Sequence, residues 1–365
     1  MILALFIFLP TLIFFPHFLY TFGILYIPQK IKFNLNILII IFIILLSFLN
    51  QLFSYNTVII YNKNFLSFTP YYFFILITYY IAQSINERTI KYVIIFICVE
   101  TVVALIEFFY NVPTFFPNLV TSDLTKYYGY KGLLYYSRAF GMSNNSSELA
   151  YKIFISLLLI DTIDFKVSFK RILFIIFSFG ILVTFNRSVI LSLIVFYFFK
   201  TLSNILRIIK IDLRKIPRVY FIYFFLTLIL IILLLYYFNY IKLQFTRGIS
   251  FKIDTFKRNE IFNYFYNFIL SHPFFGNGSF KLFYLFQNKF YHAHNSFLQI
   301  IATNGIIISL LYFTLLFRNV NKNNFNYILS IIVLSLTQYA IFWGISILDI
   351  FTFYFLFNFK RKINA

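Results

Sequence analysis

The sequence predicts an all-α, polytopic integral membrane protein: one membrane domain over residues 1–365, with about eleven transmembrane helices. Three observations carry that expectation. Hydrophobic residues make up 61% of the chain and mean hydropathy is +0.84, well above the roughly 45–50% apolar content of soluble domains. Apolar runs such as 36–54 and 219–240 reach the roughly 18 residues that mark a membrane-spanning helix. Strand-like alternation is absent, and in hydrocarbon every backbone group must then be satisfied within a helix.

Taken in order, spans are expected near 2–24, 36–54, 65–83, 91–110, 148–163, 172–186, 188–206, 219–240, 296–317, 325–341 and 343–359. Pro10 and Pro16 interrupt the first. No Lys or Arg precedes Lys30, unlike the basic start of a cleavable signal peptide. Cys98 is the lone cysteine and permits no internal disulfide. Phe, Ile, Asn, Lys and Tyr are overused together, as AT-rich coding would produce, so the 56 Phe need no functional reading.

Charge sets the expected orientation. Lys30/Lys32, Arg88/Lys91, Lys166/Lys170/Arg171, Lys200 to Arg218, Arg318/Lys322 and Lys360/Arg361/Lys362 alternate with short loops that hold only Lys63 and Arg187. The positive-inside rule makes the first set cytoplasmic, which leaves the N-terminus outside and the C-terminus inside. Two longer loops, 111–147 and 241–295, then face outward although they are basic, which points to an anionic partner there. The overall charge of +20 is mostly topogenic and implies no nucleic-acid binding. The basic run from Lys200 to Arg218 is an ordinary cytoplasmic anchor.

The chemically richest segment runs from Arg258 to Gly305. It contains Arg258-Asn-Glu, then His272-Pro-Phe-Phe-Gly276-Asn-Gly278, then His292-Ala-His294-Asn295 at the head of an apolar helix. An amphipathic helix following Arg258 would end at His272-Pro273, and Gly276 and Gly278 would allow a tight turn. Imidazole is the side chain whose ordinary pKa suits proton transfer near neutrality. A helix N-terminus, with its free N–H groups, suits a phosphate.

This segment resembles the signature of the O-antigen polymerase and O-antigen ligase superfamily of bacterial membrane glycosyltransferases. That signature is a His followed by Asn, Ser or Gln, nine residues and a Gly, downstream of a loop Arg and a His-Pro-x-x-Gly-x-Gly turn. His294, Asn295 and Gly305 keep that spacing. Ile308 stands where the family usually has a small residue or Tyr. Two further stretches are similar to the family: Thr184-Phe-Asn-Arg187-Ser188, and the Arg-, Gly- and Asn-rich run from Ser137-Arg138 to Ala150. Together they cover about 137 to 310; the rest matches only as hydrophobic helices.

The resemblance implies a multi-pass protein of the bacterial inner membrane with its active site facing the periplasm. Its donor would be an undecaprenyl-pyrophosphate-linked oligosaccharide, and transfer to a hydroxyl would need no metal and no cofactor. His294 would be the catalytic base. Arg187, Arg258, Arg138, Asn295 and His292 would bind pyrophosphate or glycan. Membrane lipid, a chain-length regulator and a flippase of the same pathway are the implied partners. A polymerase of O-antigen repeat units is the leading expectation, with a ligase to lipid A core as the alternative. A polysaccharide or lipid transporter is the rival of a different class, but neither internal symmetry nor a midplane charge array is evident.

Blander readings stand beside these. His294 could cap its helix, His292 could be a plain loop residue, and Arg187, Arg258 and Arg138 could reach lipid headgroups. A metal site from His272, His292 and His294 has no carboxylate at ligand spacing. Glu100 and Glu107 share a helix face, Glu148 and Lys152 are spaced to pair with each other, and Asp349 has no evident partner.

Overall fold

The structure is a computed structural model and describes residues 1–29, 33–54, 72–120, 124, 137–209, 256–286, 289–342 and 345–359. The expected span 219–240, the start of 65–83, the first part of loop 241–295 and much of loop 111–147 lie outside the described residues. So do Lys30, Lys32, Lys63, Lys210 to Arg218 and Lys360 to Lys362.

The chain opens with α1 (Ile2–Phe8), a 3-10 turn over Leu9–Thr11 and, after a break, a second 3-10 helix over His17–Tyr26. The expected first span is therefore not one helix. Pro10 and Pro16 each lack the N–H a helix interior needs, and both stand at the interruption. Next come α2 (Leu35–Ser54), α3 (Tyr72–Ser84), α4 (Glu87–Phe109), α5 (Ser146–Ile160), α6 (Val167–Thr184) and α7 (Arg187–Ile209). They are followed by α8 (Phe256–Ser271) and a small antiparallel hairpin. Its strands are β1 (Tyr284–Phe286) and β2 (Lys289–Tyr291), with Tyr284 opposite Tyr291. The last helices are α9 (Ser296–Arg318), α10 (Phe325–Thr337) and α11 (Ile347–Phe357).

Among the described residues α2, α4, α6 and α9 are long and apolar enough to cross a membrane. The class is thus an all-α membrane protein, and the expected count of about eleven helices is not confirmed by these four. Helices α3, α10 and α11 have 13, 13 and 11 residues. At about 1.5 Å per residue they fall short of a hydrocarbon core of about 30 Å.

Helix α5 sits at the centre, packed on α4, α6 and α11. Ile153, Phe154, Ile155 and Leu158 on its different faces are all fully buried, as expected of a helix that is apolar all round. Peripheral helices instead turn Leu52, Phe53, Phe174, Ile175 and Phe179 outward, which suits contact with lipid. Helix α7 packs along α10, and α9 lies between α2 and α8.

The expected Glu148–Lys152 pair is not formed as a salt bridge. Lys152 Nζ instead meets Glu100 Oε1 and Oε2 at 2.8 and 2.9 Å, with both side chains essentially buried. Glu148 is engaged at the start of α5: it accepts from Asn144 N and Asn145 Nδ2, while Asn145 Oδ1 accepts from Ser147 N and Glu148 N. This reciprocal capping holds the carboxylate at the helix mouth, and the lysine turns inward. Its Nζ also donates to Thr11 O at 2.8 Å, tying the broken first segment to the bundle. Asp349, which lacked a sequence partner, accepts from Phe342 N and Ser346 Oγ at 2.6 and 2.7 Å.

Candidate active site

The His-Pro turn and the glycine of α9 fit into each other. Helix α8 ends at Ser271, and Gly276 and Gly278 turn the chain with φ of +55° and +59°. The turn then docks against the middle of α9, where Gly305 breaks the helix at φ 73°, ψ 176°. Asn277 N and Ser279 N donate to the carbonyls of Ala302 and Thr303, and Ile306 N donates to Pro273 O at 2.8 Å. A Cβ on Gly305 would stand 2.0 Å from Phe274 O, so only glycine permits this approach. Asn50 of α2 fastens the turn from the other side, donating to Phe275 O and Ser279 Oγ. Ile308, the departure from the family pattern, is buried.

This docking fixes α8 relative to the start of α9. Ile261, Phe265 and Phe268 form the buried face of α8, and Arg258 stands in its first turn. The rings of His292 and His294 lie 4.2 Å apart between centroids. His294 adopts φ +50°, and its N–H donates to His292 Nδ1 at 3.1 Å. His292 thus holds the turn that presents His294. Asn295 is the N-cap of α9: its Oδ1 accepts from Leu298 N, and its Nδ2 donates to Leu336 O at 3.1 Å. Asn295, not His294, caps the helix, and its amide is committed to backbone.

Electrostatics join Arg258 to the histidines. Loss of solvation, and then the charge of Arg258, push the His294 pKa down to about 4, against a weaker opposing bond from Gln338. His292 is held well below its ordinary value by burial, then by His294, Lys281 and Arg258. Both rings are neutral at pH 7. Lys281, between the turn and β1, is pushed down to about 8 by burial, with Asp349 opposing. Lys281 counted in the sequence only as one charge of a basic loop, and nothing local singled out Gln338. His272 lies apart, stacked on Phe268 at 4.5 Å. Among the described residues no three His, Cys, Asp or Glu converge as metal ligands would.

Arg187 is the exposed first residue of α7. Phe185 ends α6 in the left-handed conformation, and Asn186 caps α7 by accepting from Val189 N. The neighbouring Ser188 Oγ accepts from Gln338 Nε2 at 3.4 Å, and Gln338 Oε1 is 3.5 Å from His294 Nδ1. The Arg187 turn and His294 therefore share one intermediary. Arg138 is almost buried and enters from a third segment, whose Ala139 N donates to Val183 O at 3.2 Å. That segment is clamped by Glu107, which accepts from Phe115, Phe140 and Gly141 N–H groups. The structure thus brings His292, His294 and Asn295 together, relates Arg258 to both rings through its charge and Arg187 to them through Ser188, and leaves Arg138 on a separate segment.

Residues 172–313 match the family described as O-antigen ligase. The chain carries an O-antigen ligase-type domain. This supports its place in the O-antigen polymerase and ligase superfamily, with ligase- or polymerase-type function in surface-polysaccharide assembly. The matched segment contains Arg187, Arg258, His294 and Gly305 and excludes Arg138. Searches of the curated proteins and of the solved structures gave no match.

Proposed function

We propose that this O-antigen ligase-type protein is a polymerase acting at the periplasmic face of the bacterial inner membrane. It would transfer a growing glycan from undecaprenyl pyrophosphate to a sugar hydroxyl of another lipid-linked repeat unit, without metal or cofactor. The observation that carries this reading is His294 presented at the head of α9 within the matched segment, kept neutral by burial and then by the charge of Arg258. In the proposed step the acceptor hydroxyl gives its proton to His294 as its oxygen bonds the anomeric carbon. The bond from that carbon to the pyrophosphate oxygen breaks, and the electron pair leaves with the pyrophosphate. Arg258 and Arg187 would meet the negative charge that develops there. His292 supports the base through its turn, and Arg138 serves the glycan or pyrophosphate from the clamped segment.

The ligase reading keeps the same chemistry and changes only the acceptor, to a lipid A core sugar; the family description favours it. Surface polysaccharide from a deletion strain, complemented with wild type or His294→Ala, separates the two on a gel. A single repeat unit on the core, extended to a ladder only by the wild type, supports the polymerase. Finished polymer still on its carrier supports the ligase. Normal long-chain product from His294→Ala would remove the base assignment.

A further inference from the structure

Helix α10 ends at Thr337, and Gln338 turns extended, with φ −148° and ψ 158°, to run beside the head of α9. Its backbone is held by the signature motif itself. Ser296 Oγ accepts from Ala340 N and Ile341 N at 2.9 and 3.1 Å and lies 3.4 Å from Gln338 O. Asn295 Nδ2 reaches Leu336 O on the preceding turn. The side chain also meets Ser188. With Gln338 Nε2 donating to Ser188 Oγ, the amide oxygen faces His294 Nδ1. An amide oxygen can only accept, so this orientation pairs with a proton on Nδ1 and the lone pair on Nε2. The 3.5 Å separation is long, as such contacts commonly are before substrate tightens them.

We propose that Gln338 is a positioning residue that holds His294 in its Nδ1-protonated tautomer, with Nε2 free to take the proton. The inference rests on the reading of His294 as base. As the acceptor's proton reaches Nε2, the Nδ1–H faces the amide oxygen, which stabilises the imidazolium. The Nδ1 of His292 accepts the His294 backbone N–H. The charged groups acting on the two rings are Arg258 and, at His292, Lys281.

The test uses full-length protein in nanodiscs, with lipid-pyrophosphate-linked repeat units extracted from the deletion strain. Gln338→Leu should lower kcat about ten- to a hundredfold, as loss of a histidine's orienting partner does, while donor KM stays within about twofold. Gln338→Glu should restore much of kcat and move the acid limb of the pH profile upward, because a carboxylate favours imidazolium. In 15N-histidine spectra the His294 signal should change from Nδ1-protonated to a tautomer mixture in Gln338→Leu. Unchanged kcat or an unchanged His294 spectrum in that variant overturns the inference. Activity in His294→Ala would instead remove the base reading, a failure the tautomer spectra distinguish.

Discussion

At the scale of single residues, burial first and then one cation keep the His294 ring neutral. Arg258 helps depress the His294 pKa to about 4, so protonation of the free protein is disfavoured. A bound pyrophosphate would offset that cation, and the His294 pKa should rise on donor binding. The acid limb of kcat/KM, which reports free protein, should therefore lie below that of kcat. Arg258→Gln removes the cation and should shift the kcat/KM limb upward. Arg258→Lys keeps the charge but loses the planar fork; the limb should stay in place while kcat/KM falls about tenfold, the worth of one charge-assisted contact. Full activity in the lysine variant would reduce Arg258 to a point charge. Both limbs come from initial-rate measurements across pH.

At the scale of elements, the nine-residue interval between Asn295 and Gly305 has a physical meaning. One end is the cap that starts α9, and the other is the break that receives the His-Pro turn. Gly305→Ala should destabilise the protein by at least about 1–3 kcal/mol, the usual cost of a strained backbone position, and should lower turnover as α8 and Arg258 shift. A melting curve in detergent, read beside turnover, checks both; wild-type values for each would dissociate the turn from the site. This spacing was legible in the sequence because both ends lie on one local motif. The Arg187 turn was legible for the same reason. Gln338 was not, since its link to His294 crosses from α10 to α9 and leaves no periodic trace. The capping box explains why the Glu148–Lys152 spacing misled: a local pairing rule does not register a buried acid on α4.

At the scale of the whole molecule, a buried ion pair joins α4 to α5, and its lysine reaches the first segment at Thr11. Lys152→Met would leave Glu100 charged in an apolar interior and should cost about 3–5 kcal/mol, whereas the double variant Glu100→Leu/Lys152→Met should be far closer to wild type. Thermal unfolding in detergent of these two variants and of Glu100→Leu gives the coupling directly, and equal losses in single and double variants would show that the pair is not an energetic unit. The membrane class was readable from hydropathy because burial in lipid needs only apolar length; the helix lengths were not, since Pro10 and the extended segment after Thr337 interrupt apolar runs without changing their composition. That same extended segment bears on how relatives can be recombined. The family match stops at residue 313, yet the chain that grips Asn295 and Ser296 lies at 336–341. A chimera joined at the edge of the match would mate one parent's histidine with the other parent's clasp. A junction placed beyond Phe342 transplants both together.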